Sequence, residues 1–244
     1  MKFKSHKIDA QVFGGAVIEL LEFDANQDLS ECLAKIEKDE QPIYIYTKVE
    51  ESDVAKIHEL ENNDFRFMET QFDILLRLAD HYNPMSYFPY KIAEVTEEGE
   101  LERVFYIADE NFSDNRISVD KQLKDSAGNL RYKGFLQQSF ENENEHLFKI
   151  YNSQSNELIG FQSGKTIGTN EAQMFLGGLC KEYQHSLSGI NYELYFAELF
   201  KRGFALLRIL MSGKSFRDLN FEIKGHDYQI LESKVVLRKI YKKK

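Results

Sequence analysis

The 244-residue sequence contains few prolines: Pro42, Pro84 and Pro89, with none after position 89. The long C-terminal part is therefore free to form regular secondary structure. Cysteine is equally scarce. Cys32 and Cys180 lie far apart and share no metal-ligand spacing, which reads as two buried thiols and no metal. A basic excess is missing too: 31 Lys and Arg stand against 40 Asp and Glu, for a net charge of −9. Phosphate neutralisation supplies most nucleic-acid affinity, so a nucleic-acid partner is not expected. No apolar run approaches the ~20 residues that cross a bilayer, so no membrane partner is expected. The opening Met1-Lys2-Phe3-Lys4 is basic, but Asp9, Gly14-Gly15 and Glu19 break the apolar stretch behind it, unlike a signal peptide. A cytoplasmic location is the default expectation.

What is present reads as alternating strands and helices. Residues 8–23 read as strand material with turns. Leu29, Cys32, Leu33 and Ile36 mark one face of a short helix, and Ile43-Tyr-Ile-Tyr-Thr47 marks a strand. Ser52 reads as the N-cap of a helix bearing Val54, Ile57 and Leu60, followed by a strand from Phe65 to Leu78. Residues 81–90, with two prolines and several aromatics, read as a linker. Beyond it the pattern predicts a strand at 90–95, a helix capped by Thr96 and a helix over 131–140. Strands follow at 147–151, 158–161 and 172–179, then a helix from Ile190 that stops near Gly203. The remainder reads as a strand at 205–211, a helix through Phe216, Leu219 and Ile223, and one or two strands over 228–240.

This order over the last ~150 residues resembles the GNAT superfamily of acyl-CoA-dependent N-acyltransferases. Within it, the chain is similar to the nucleotide amino-sugar acetyltransferases of the TDP-fucosamine type. The supporting residues are Asp9-Ala-Gln-Val-Phe13-Gly14, Asn63-Asp64-Phe65, the loop Phe112 to Asp120 and the helix around Phe135. The resemblance implies a mixed α/β (α+β) fold with a GNAT-like central sheet flanked by helices. It places a smaller partial α/β unit at residues 1–80, the linker at 81–90 and the catalytic domain at 91–244.

The resemblance also implies a site. The pyrophosphate loop of these enzymes falls on Gln184-His185-Ser186-Leu187-Ser188-Gly189, running into Ile190. Successive backbone N–H groups at a helix N-terminus bind anions, and glycine allows close approach. Gln184 and Gly189 match the pattern; Leu187 replaces a glycine, still able to offer its N–H if its side chain turns away. The co-substrate is acetyl-CoA or another acyl-CoA. The strand 172–179 is expected to part from its neighbour, with N–H groups near Gly177, Gly178 and Leu179 polarising the thioester carbonyl.

The usual base position falls on Gln173, which takes no proton. Glu171, on the same face by strand alternation, is the candidate base, with His185 as runner-up. The usual acid position falls on Phe221. On the acceptor side the candidates are Asp114, Arg116 and Gln173, with Arg116 gripping phosphate or carboxylate. The expected partner is a small primary amine, borne by a nucleotide-linked amino sugar. Two alternatives stay open: a GNAT-like ligand-binding protein without catalysis, and an N-acyltransferase for another small amine. A homodimer paired through the long final strands is a further hypothesis.

Overall fold

A computed structural model describes residues 1–23, 28–79, 87–112, 116–124, 126–187, 189–215 and 226–241. The chain begins with β1 (Lys2–Ser5), α1 (Lys7–Phe13), β2 (Ala16–Glu22), α2 (Leu29–Glu40), β3 (Pro42–Glu50), α3 (Val54–Asn62) and β4 (Arg66–Arg77). It continues with β5 (Tyr90–Glu94), α4 (Glu98–Asn111), α5 (Ala127–Glu141), β6 (Glu145–Asn152), β7 (Leu158–Thr166) and β8 (Glu171–Leu179). The last elements are α6 (Ile190–Lys201), β9 (Leu206–Ser212) and β10 (Tyr228–Ile240).

Local chemistry explains three of the helix boundaries. The Asp28 side chain accepts hydrogen bonds from the N–H groups of Ser30 and Glu31, starting α2. Asp53, not Ser52, caps α3 by accepting from Lys56 N–H at 3.1 Å. The expected strand at 8–13 is instead α1. Gly14, at φ 75°, closes it with its N–H on the Ala10 carbonyl, so the Gly14-Gly15 pair is a helix stop. The helix expected through Phe216–Ile223 lies outside the described residues, as does most of the 81–90 segment.

Among the described residues, all the strands join one sheet in the order β1-β2-β3-β10-β4-β9-β8-β7-β6-β5. The order is palindromic about the antiparallel β10–β4 pair. On each side comes an antiparallel neighbour (β3, β9), then a strand parallel to it (β2, β8), then an antiparallel one (β1, β7). The last strand of each half is thus inserted against the other half. From Lys234 onward β10 lies between β3 and β4, whereas its first residues, from Tyr228, pair with β4 alone.

Helices α2 and α3 cover one face of the sheet over Ile18, Leu20, Ile45, Val235 and Leu237. On the same face α6 covers Ile74, Leu76, Ala172, Met174, Leu207 and Ile209. The opposite face carries α4 and α5 at one end, over Leu147, Leu158 and Phe161. At the other end it carries α1 with the segment around Ile117 and Ala127, over Val17, Tyr44, Tyr46 and Val236.

Candidate active site

Parallel pairing of β8 with β9 runs from Glu171/Leu206 to Met174/Ile209 and ends there. Beyond that row β8 stays with β7 as far as Leu179, and β9 stays with β4 as far as Ser212. The two strands part, and the sheet opens in a V at its centre.

One lip of the V is shaped by a bulge. Between the pairs Gly164–Met174 and Gln162–Gly177, β8 carries one residue more than β7. Ser163 holds the bulge, its hydroxyl accepting from Leu176 N–H and donating to Leu176 O, each at 3.1 Å. The bulge reverses the alternation. Ala172 and Met174 pack under α6, whereas Leu176 packs towards α4 and α5. Residues 171 and 173 therefore do not share a face with 177, contrary to the simple alternation expected from sequence. Beyond the bulge, Cys180 N–H donates to Ile159 O on β7. By antiparallel alternation the Gly177 and Leu179 amides face away from β7, into the opening.

Both glycines stand where a side chain would force a neighbour to move. A Cβ on Gly177 would lie 2.6 Å from Gln162 Cδ, and one on Gly178 would lie 2.8 Å from Asn111 Cγ. Gln162 is fully buried and accepts from Asn191 Nδ2 of α6 at 3.3 Å. Sequence reasoning missed this Gln162–Asn191 pair, since the two are distant in sequence and neither sits in a motif.

The loop into α6 is braced from within. Gln184 Nε2 donates to Asn111 Oδ1 at 3.1 Å and to Leu179 O at 3.3 Å, so its amide ties the loop to α4 and β8. The Leu187 side chain does turn away, into the apolar cluster of Ile150, Ile159 and Ile190. Its N–H, however, donates to Tyr183 O at 2.9 Å, correcting the expectation that it is offered to a phosphate. His185 and Ser186 are exposed on the loop, and Ser188 lies outside the described residues. Gly189, at φ 86°, is the N-cap of α6, whose first residue is Ile190.

The candidate acid–base residues are not brought together. Glu171 opens β8 at the closed end of the V, opposite Leu206, whereas His185 lies past the other end of the strand. At about 3.3 Å per residue, β8 itself spans roughly 26 Å from Glu171 to Leu179, and His185 lies in the loop beyond. Asp114 lies outside the described residues. Arg116 is buried and ion-paired with Glu69 of β4 at 3.1 Å, with its guanidinium over the Tyr46 ring. It is committed within the protein and is not the acceptor-gripping group expected from sequence. Asp120 likewise holds Arg238, at 2.7 and 3.0 Å.

Gln173 does reach a site. It lines a cavity of about 390 Å³ on the face opposite α6, together with Lys48, Asp73, Arg208, Leu210 and Lys234. Gln173 pairs with Arg208 in the next-to-last row before the strands part, and Leu210 is the first β9 residue beyond the last row. The cavity therefore adjoins the vertex of the V. Burial raises the Asp73 carboxyl above the ordinary carboxylate range, with Arg208 opposing the shift. Burial lowers the Lys48 ammonium, helped by Arg116, with Glu19 opposing. Asp73 escaped sequence reasoning because it lies in the N-terminal half, on the strand inserted beside β9.

No protein-family model matches the chain, and no curated protein matches it in sequence. Solved structures do resemble it. A conserved protein of unknown function from Staphylococcus epidermidis ATCC 12228 aligns with TM-score 0.65 at 14% identity, over 96% of this chain and 89% of that one. A tandem GNAT protein from the clavulanic acid biosynthesis pathway aligns with TM-score 0.58 at 10% identity, over 95% and 77%. The fold is that of the GNAT proteins. A GCN5-related glucosamine N-acetyltransferase region of a fungal GH3 β-N-acetylglucosaminidase aligns with TM-score 0.65 at 11% identity, over 92% of this chain and 30% of that one. The parted β8 and β9, with the bulge beside the opening, are the features on which the candidate site rests.

Proposed function

We propose that the chain is an acyl-CoA-dependent N-acyltransferase. The acyl group, acetyl in the simplest case, goes to the primary amine of a nucleotide-linked amino sugar. In this reading residues 1–80 are a partial copy of the catalytic unit, 81–90 are the linker, and β4 completes the sheet of the catalytic part, 91–244. The observation that carries the reading is the V between β8 and β9, with the Gly177 and Leu179 amides facing into it and the N-terminus of α6 beyond its open end.

The geometry supports a division of labour. Two amides held by a rigid strand suit a thioester carbonyl, whose oxygen gains charge as the amine adds. The first turn of α6, entered through Gly189, presents a positive dipole end for the phosphates of coenzyme A, while its Ile190 and Tyr192 N–H groups donate to Leu187 O and Gly189 O. Nucleotide-linked amino sugars are anionic, which agrees with the cations of the cavity at the vertex. The glucosamine acceptor named for the fungal relative supports the sugar part.

A second reading, ligand binding without acyl transfer, is favoured by one observation: Gln184 and the Leu187 amide are occupied inside the protein. A thiol-release assay separates the readings. Release that requires both acetyl-CoA and a nucleotide-linked amino sugar supports the proposal. Release with amino acids or peptides alone moves the acceptor class. Acetyl-CoA binding with no release for any amine leaves the binding reading.

A further inference from the structure

The cavity beside the vertex is built from both halves of the chain, and its charges are laid out in order. Across the sheet from the V, β9 contributes Arg208 and Leu210. Next comes β4 with Asp73, in register with Leu210. Next is β10 with Lys234, ion-paired at the surface with Glu232 at 2.5 Å, and then β3 with Lys48, 4.0 Å from Glu19. Asp73 Oδ1 lies 3.2 Å from Arg208 Nε, close enough for ion pairing. Yet both atoms are shielded from solvent and neither makes a hydrogen bond among the described residues. A buried carboxylate oxygen and a buried guanidinium N–H without such partners are costly, and a bound polar group removes that cost.

We propose that this cavity is the acceptor site and takes a primary amine that also carries a phosphate-type anion, with the amine at Asp73 and the anion over Lys234 and Lys48. The site's place in catalysis rests on the acyl-transfer reading; its binding chemistry does not. Strands lie ~4.8 Å apart, so Asp73 on β4 is two strand spacings, about 10 Å, from β8, and a bound amine lies between them. Lys234 on β10 is one spacing away on the other side and two residues along, roughly 8 Å, and Lys48 on β3 is a further spacing and two residues on. An amino sugar 1-phosphate with its amine at C4, across the ring from the phosphate, suits the span from Asp73 to Lys234. Arg208 keeps Asp73 ionised against its burial while leaving Oδ1 able to accept from the amine.

Asp73 is then also the proton acceptor that the chain lacks at Gln173. The substrate ammonium gives one proton to the Asp73 carboxylate, and the freed nitrogen pair forms the C–N bond to the thioester carbonyl carbon. The C–S bond breaks with its electrons on sulfur. The nitrogen sheds a second proton as the amide forms, the thiolate takes up one, and the other leaves to solvent. The charges facing Asp73 are Arg208 on β9, Glu232 and Lys234 on β10 and Glu171 on β8, and any pH dependence carries their influence.

4-Amino-4-deoxyglucose 1-phosphate and 4-amino-4-deoxyglucose are the probes, titrated calorimetrically into the full chain with and without coenzyme A. The phosphate ester is expected to bind at least tenfold more tightly than the free sugar. Lys234→Ala is expected to remove at least tenfold of that affinity and Lys234→Arg to retain it; Lys234 is a third exposed, so both fold. Asp73→Asn is expected to weaken both sugars and, in thiol release, to lower kcat/KM most on the acid side of the pH profile. Equal affinity for the two sugars, or failure of both to bind with and without coenzyme A, overturns the proposal. So does unchanged affinity in Lys234→Ala. Tight binding of the phosphate ester without thiol release from acetyl-CoA upholds the site and rejects acyl transfer.

Discussion

Arg116 and Glu69 form a buried ion pair at 3.1 Å that ties the segment before α5 to β4. Glu69 is shared further, accepting from Ser212 Oγ of β9 at 2.7 Å and from Gln71 Nε2 at 2.9 Å. Removing one partner of a buried pair strands the other charge, at a cost of ~3–5 kcal/mol. Arg116→Ala should therefore lower stability by about that much in urea denaturation. A variant as stable as the parent, with a raised acceptor KM, would return Arg116 to the substrate.

Gly177 and Gln162 are neighbours of the same tight kind. Gly177→Ala places a methyl group against a buried amide already engaged with Asn191 and Leu176. Overpacking of this sort costs ~1–3 kcal/mol. In a double-mutant cycle, adding Gln162→Ala should relieve part of the loss, giving a coupling well above the few tenths found for independent sites. Additive effects would place the strain elsewhere.

His146 should make the fold acid-sensitive. Burial, reinforced by Arg202 and opposed by Glu94, pushes its imidazole down to about 4. It hydrogen-bonds the buried Tyr195 hydroxyl at 2.7 Å. An unfolded histidine titrates near ~6.5. The neutral ring therefore contributes stability in full above that pH, and the contribution is lost as pH falls from ~6.5 towards 4, by ~3 kcal/mol at most. His146→Gln should flatten the midpoint-versus-pH curve in that window. An equally steep curve would assign the acid sensitivity to other groups.

Asp73 should show the opposite sign. Its carboxyl is raised in the folded chain, so its contribution is favourable below the ordinary carboxylate range and declines as pH rises through the raised value. Asp73→Asn should thus be at least as stable as the parent at pH 7, the difference closing on acidification. A variant destabilised at pH 7 would make the Asp73–Arg208 pair a structural brace.

The order of elements was legible because apolar spacing survives in each: Leu29, Leu33 and Ile36 are the buried face of α2, and Leu194 and Ala197 lie on that of α6. Helix α1 was misread because Val12 and Phe13 were joined to the strand residues Ala16–Ile18 across a glycine that in fact ends a helix. The bulge at Phe175–Leu176 has no signature in strand alternation, which taken alone would put residues 171, 173 and 177 on one face. The partners of Arg116 and the role of Asp73 depend on β4 crossing into the other half of the sheet. That pairing joins residues far apart in sequence and leaves no local trace.

The account depends most on the V between β8 and β9 holding an acyl-CoA with its phosphates at the start of α6. A ligand that binds the folded state raises the unfolding midpoint as its concentration rises. The deciding measurement is that midpoint against acetyl-CoA concentration for the parent, Gly189→Ala and Gly189→Glu. The alanine variant reports the strain of a side chain at φ 86°, about 1–2 kcal/mol; the glutamate variant adds negative charge at the anion site. The account predicts a concentration-dependent rise in the parent and in Gly189→Ala, and its loss in Gly189→Glu. No rise in the parent, or an undiminished rise in Gly189→Glu, would contradict it.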